Sequence, residues 1–130
     1  MTEQERIQTF AEFWPFYVGE HRNPLNRALH YFGTSAAVTI ITFSLVTWQP
    51  LIGLLALIGG YGPAWIGHFK IEKNRPATFT YPRWSILGDF KMVFYFLTGR
   101  MGREMTKLYG SRHPAADAPL LLADAEQRAA

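Results

Sequence analysis

No cysteine occurs anywhere in the chain. That excludes a disulfide framework, a thiolate metal site and a cysteine nucleophile, so any metal must use His, carboxylate or backbone oxygen. Charge is missing from one long block. The 42 residues from Ala28 to Phe69 contain no Asp, Glu, Lys or Arg. Internal repeats are absent. The basic excess, 13 Lys and Arg against 10 Asp and Glu, is too slight to point to nucleic acid. The first 20 residues lack a short apolar core with a small-residue cleavage site. No cleavable signal peptide is expected, and the first apolar segment acts as its own membrane signal.

What remains is one domain's worth of chain with its apolar residues in one place. A turn signal, Trp48-Gln49-Pro50, divides the uncharged block. Tyr31 to Trp48 is roughly 27 Å long as a helix, and Leu51 to Phe69 roughly 28 Å. Each nearly matches a hydrocarbon core of about 30 Å. The alternative is a buried hairpin in a soluble protein, but the rest of the chain is too short to cover both helices all round. The expected fold is therefore all-α and membrane-integral, with one transmembrane hairpin over about 24–48 and 50–73. Arg6, Arg22 and Arg27 precede the hairpin, and Lys70, Lys73, Arg75 and Arg83 follow it. The positive-inside rule places both hairpin ends in the cytoplasm, as for a protein of the bacterial inner membrane.

Around the hairpin, residues 2–18 read as an amphipathic, interfacial helix. Thr2-x-x-Glu5 serves as its capping box, and Pro15 bends it or ends it early. Asn23-Pro24 is a good helix start. Gly59-Gly60 and Gly62-Pro63 predict a kink in the second span. Residues 83–99 form a third apolar helix, interrupted by Asp89 and Lys91 and read as shallow or interfacial, with 100–109 as its extension. Residues 1–110 make the membrane-embedded domain, and 111–130, Ala- and Pro-rich, a mobile tail with His113 on its surface.

Two polar groupings flank the uncharged block. In the first, His21 to His30, Asn26 and His30 share a helical face at i,i+4. In the second, Gly67 to Pro76, His68 and Glu72 do the same. A hairpin brings both groupings to one membrane face. His21, His30, His68 and Glu72 then become candidates for one metal cluster, suited to iron, zinc or manganese. Two His plus a carboxylate is the ligand set of many non-haem Fe(II) oxygenases. Arg27, Arg75 and Lys73 surround this cluster. Either arginine can hold a substrate carboxylate by a bidentate contact, while membrane anchoring alone explains Lys73. Asp89, a carboxylate in an apolar segment, is expected to face a partner. It either accepts a hydrogen bond from a ligand histidine, with Asn23 nearby as a second supporting residue, or pairs with Arg75.

The segments HRNPLNRALHYFGT (His21 to Thr34) and AWIGHFKIEKNRPATF (Ala64 to Phe79) together resemble the 2-hydroxy fatty acid dioxygenase family, in its shorter bacterial form. The resemblance covers about residues 10 to 100. It implies Fe(II)-dependent, O2-using α-oxidation that shortens a long-chain 2-hydroxy fatty acid by one carbon. It also implies iron ligation by His21, His30 and His68. Glu72, Asn26 and Arg75 match the family pattern, and we infer catalytic parts for them. A fatty acid keeps its tail in the bilayer and its carboxylate and 2-hydroxyl at the interface, level with the histidines. Three histidines leave three positions on an octahedral ion, enough for carboxylate, 2-hydroxyl and O2. Glu72 then serves as a fourth ligand, a base or a supporting acceptor. Two rivals stand beside this reading. One is a non-catalytic membrane scaffold or lipid-binding protein. The other is a haem protein with His30 and His68 as axial ligands.

Overall fold

The computed structural model describes residues 6–121, which form helices and turns with no strand. The first helix, α1, runs from Phe10–Gly19. Its capping box is Thr9 with Glu12: the Thr9 hydroxyl accepts from the Glu12 N–H and the Glu12 carboxylate from the Thr9 N–H. Residues 6–9 are not helical, so the helix expected from residue 2 is corrected to a start at Phe10. Thr2 and Glu5 lie outside the described residues. Pro15 sits inside α1, which continues to Gly19 rather than ending early.

The hairpin follows. Helix α2 spans Pro24–Val46, capped by the Asn23 side chain on the Leu25 N–H with Pro24 in the first turn. The return run is a short α3, Pro50–Gly53, then α4, Leu55–Ile66, then a π-helical segment, Gly67–Glu72. α2 and the 50–72 run are each long and apolar enough to cross a membrane. Only 17% and 11% of their most apolar windows are buried within the protein. Most of their apolar surface is therefore left uncovered by the rest of the chain, as in a membrane-spanning hairpin. Pro63, where the sequence predicts a kink, lies inside α4. Beyond α4 the run leaves α geometry at Gly67–Glu72, beside His68. α2 and α4 approach so closely that a Cβ on Gly33 would lie 2.6 Å from the Gly60 carbonyl oxygen. Small residues permit that approach in lipid.

A 3₁₀ turn, Ala77–Phe79, leads to α5, Pro82–Leu97, and then to α6, Met101–Tyr109. Gly99, at φ +69°, separates α5 from α6, so 100–109 is a helix of its own. The packed core lies beside the hairpin: Phe13, Trp14 and Tyr17 of α1 meet Met92 of α5 and Met105 and Leu108 of α6. The aromatic face of α1 is thus covered by protein. Beyond α6, Ala115 and Ala118 give their carbonyls to Arg22 and Leu120 packs on the core.

Candidate metal centre

Each of the three clustered histidines comes from a different piece of chain. His21 lies in the link after α1, His30 on α2 and His68 on the π segment. All three are buried, at 1%, 4% and 3% exposure. Their rings pack nearly perpendicular, with centroids 4.3, 4.7 and 4.8 Å apart.

The hydrogen bonds fix which nitrogen carries the proton. His21 Nδ1 lies 2.6 Å from the Tyr17 carbonyl oxygen and His30 Nδ1 2.9 Å from that of Asn26. A carbonyl only accepts, so both Nδ1 atoms donate. His68 Nδ1 lies 2.7 Å from Asn74 Oδ1. The Asn74 amide is oriented by its nitrogen, which donates to the Glu20 carbonyl and carboxylate at 3.0 and 2.8 Å. His68 Nδ1 therefore donates too. Burial first, then the neighbouring His30 and His68, pushes the His21 imidazole well below its ordinary pKa. Neutral rings protonated at Nδ1 leave three Nε2 lone pairs converging in one buried space.

Lone pairs alone repel. His21 Nε2 and His30 Nε2 lie 3.1 Å apart, and the ligand atoms of all three residues lie within 4.8 Å of one another. Imidazole–metal bonds of about 2.1 Å put neighbouring nitrogens about 3.0 Å apart at a right angle and about 3.4 Å apart in a tetrahedron. The observed separation falls in that range, and a cation among the three nitrogens resolves the repulsion. The group fits a divalent metal with open positions. It does not fit a haem, since imidazoles this close leave no gap for a macrocycle.

Local structure explains the convergence. A Cβ on Gly67 would sit 1.9 Å from Asn26 Oδ1, so glycine lets the π segment reach α2 at the histidine level. π turns recur at functional sites for such local re-aiming. Arg27 is buried, and its guanidinium donates to the carbonyls of His21, Arg22 and Arg112 at 2.8, 2.7 and 3.3 Å. It staples the link that holds His21. Glu72 accepts from the Asn23 N–H at 2.5 Å and from the Asn26 amide at 3.4 Å, at the electropositive start of α2. The structure thus groups Glu72, Asn23 and Asn26 with one another, beside the histidines. Arg75 is exposed, with its guanidinium over the Phe79 ring.

Asp89 meets neither a histidine Nδ1 nor Arg75. It accepts from the Tyr17 hydroxyl, and burial raises its carboxyl to about 7. Lys91, on another face of α5, lies 4.3 Å from the Trp14 ring centroid. A chamber of about 20 Å³ is walled by the three histidines together with Tyr17, Tyr61, Ser85 and Asp89. Tyr17, Asn74 and Ser85 are site residues that the sequence reading missed. Tyr17 stands four residues before His21, the spacing at which a backbone carbonyl meets a histidine, and that signal was available. Asn74 had none, because its contact depends on the π turn.

No curated protein and no solved structure matches the chain. A family model described as 2-hydroxy-palmitic acid dioxygenase Mpo1-like matches residues 7–101, the stretch that carries α1, the hairpin, all three clustered histidines and the chamber wall of α5; the chain belongs to that family.

Proposed function

We propose that the protein is an Fe(II)-dependent dioxygenase acting at the cytoplasmic face of a membrane on long-chain 2-hydroxy fatty acids. The observation that supports it most is the trio of lone-pair Nε2 atoms with no protein donor between them. His21, His30 and His68 would hold the metal, which supplies open positions for substrate and O2 and accepts and returns electrons. The balanced reaction is R–CH(OH)–COOH + O2 → R–COOH + CO2 + H2O. The C1–C2 bond breaks, C2 becomes the new carboxyl carbon, and O2 takes four electrons.

This chain's own residues set the stage for that chemistry. Carbonyls of Tyr17 and Asn26 and the amide of Asn74 keep the Nδ1 protons in place, so each ring presents a lone pair inward. Glu72 and Asn26 tie the π segment to the start of α2, and we give them a positioning part. For Arg75, exposed and over Phe79, we keep the part of receiving the substrate carboxylate at the protein surface, one residue from the chamber-lining Pro76. Arg27 acts through the loop it staples. The hairpin keeps an acyl tail at membrane depth while its polar end reaches the histidines.

Purified protein given Fe(II) without air is expected to bind about one metal ion. With 2-hydroxyhexadecanoate it should then consume O2 and release pentadecanoate. His30→Ala or His68→Ala should remove both properties while the chain still partitions into membranes. Bound metal with no turnover on any 2-hydroxy acid would sink the substrate assignment. A chain that binds no metal would leave the scaffold reading standing.

A further inference from the structure

The histidine chamber is far too small for a lipid. Its volume of about 20 Å³ admits about one water-sized group. A second, larger space adjoins it. An apolar groove of about 210 Å³ runs between α2, α4 and α5. The two spaces share Tyr61 and Asp89 in their walls. Along α2 the groove starts at Thr34, about 6 Å beyond His30, and ends at Ile41, about 16 Å beyond it. Along α4 it starts at Tyr61, about 10 Å from His68, and ends at Ala56, about 18 Å away. The two antiparallel helices thus give one depth range for the same groove.

Helix α5 carries a second observation. Ser85 is 2% exposed, its hydroxyl has no hydrogen-bond partner, and it lines the chamber. A buried hydroxyl without a partner costs free energy that a ligand would recover. Asp89 stands one turn further along the same face, and Ile86 and Phe90 beside it line the groove. One helix therefore presents a polar wall to the chamber and an apolar wall to the groove.

We propose that one oxygen of the substrate's polar head enters the histidine chamber and hydrogen-bonds to the Ser85 hydroxyl, and that the acyl chain runs from the Tyr61 and Asp89 wall along the groove between α2, α4 and α5. The assignment rests on the oxygenase reading above and adds where the chain goes. An extended hydrocarbon advances about 1.2 Å per bond, as the extended backbone covers up to about 3.6 Å in three. About 14 bonds reach the far end of the groove. A long chain fills it, and an eight-carbon chain barely enters. The groove thus selects for length.

Two measurements on the full-length protein test this. The first is the ratio of kcat/KM for 2-hydroxyhexadecanoate over 2-hydroxyoctanoate. Ile41→Trp, at the far end, should lower that ratio at least about tenfold, whereas Ser85→Ala should raise KM for both acids alike at unchanged metal content. A ratio that does not move in Ile41→Trp overturns the groove. The second is photolabelling by a 2-hydroxy fatty acid carrying a mid-chain diazirine. Label on 34–41 or 86–90, suppressed by unlabelled 2-hydroxyhexadecanoate, supports the groove. Label spread over the outer faces of the hairpin overturns it, even with turnover intact. Groove labelling in a protein that turns over no 2-hydroxy acid keeps the chain site and overturns the oxygenase reading instead.

Discussion

At the scale of single residues, the metal centre depends on three acceptors more than on any acid. Asn74 is the one whose replacement isolates that effect, since its amide is held by Glu20 and faces His68 Nδ1. Asn74→Leu removes the acceptor, frees the His68 proton to sit on either nitrogen, and should weaken metal binding about 10- to 100-fold. Asn74→Asp keeps an acceptor for His68 and should lose less; titration of both variants with metal compares them. Asp89 governs a different property. Its carboxyl ionises near 7 in the folded protein and near 3.8 in the unfolded chain. Between those values the unfolded state binds fewer protons, so stability falls as pH rises. Asp89→Asn retains an acceptor for Tyr17 and lacks this slope. The thermal midpoint of the variant minus that of the parent should therefore be larger at about pH 8 than at about pH 5; an equal difference at both would refute it.

At the scale of elements, the hairpin and its paired histidines were legible in the sequence because each rests on a local pattern. The uncharged block, the Pro50 turn and the Asn23-Pro24 start leave little choice. The details that were not legible have physical reasons. Thr-x-x-Glu occurs at Thr2 and again at Thr9, and the sequence alone does not show that the second caps α1, whose Phe13 and Tyr17 pack into the core. Glu72 shares a face with His68 under α geometry, but the π segment changes the residues per turn and brings the carboxylate to Asn23. The same segment brings Gly67 against the Asn26 side chain. Gly67→Ala pushes a methyl group against the Asn26 side chain and should cost about 1–3 kcal/mol by overpacking. It should also weaken metal binding, because relief comes by separating His68 from His30. A melt in detergent and a metal titration together check this, and loss of stability without loss of affinity would count against the coupling.

At the scale of the whole molecule, the metal centre is where separately built parts are joined. His21 belongs to a link that Arg27 staples toward Arg112, near the end of α6; His30 belongs to the first span; His68 belongs to the return run, whose end is held by Glu20 through Asn74. α1, α5 and α6 form their own core beside the hairpin. Unfolded chain holds these three ligands 9 and 38 positions apart, so it cannot offer them together. A metal that binds the folded state alone stabilises it by about 2.7 kcal/mol when free ion stands at about 100 times its dissociation constant. Fe(II), or Zn(II) as a redox-silent substitute, should thus raise the thermal midpoint in a concentration-dependent way, and a chelator should reverse it. The rise should vanish in His21→Ala, since two imidazoles no longer bridge the α1 core to the hairpin. It should persist in Arg75→Ala, whose side chain lies outside on Phe79. If metal raised the midpoint of His21→Ala as much as that of the parent, the stabilising ion would be bound elsewhere and the three-histidine centre would lose its main support.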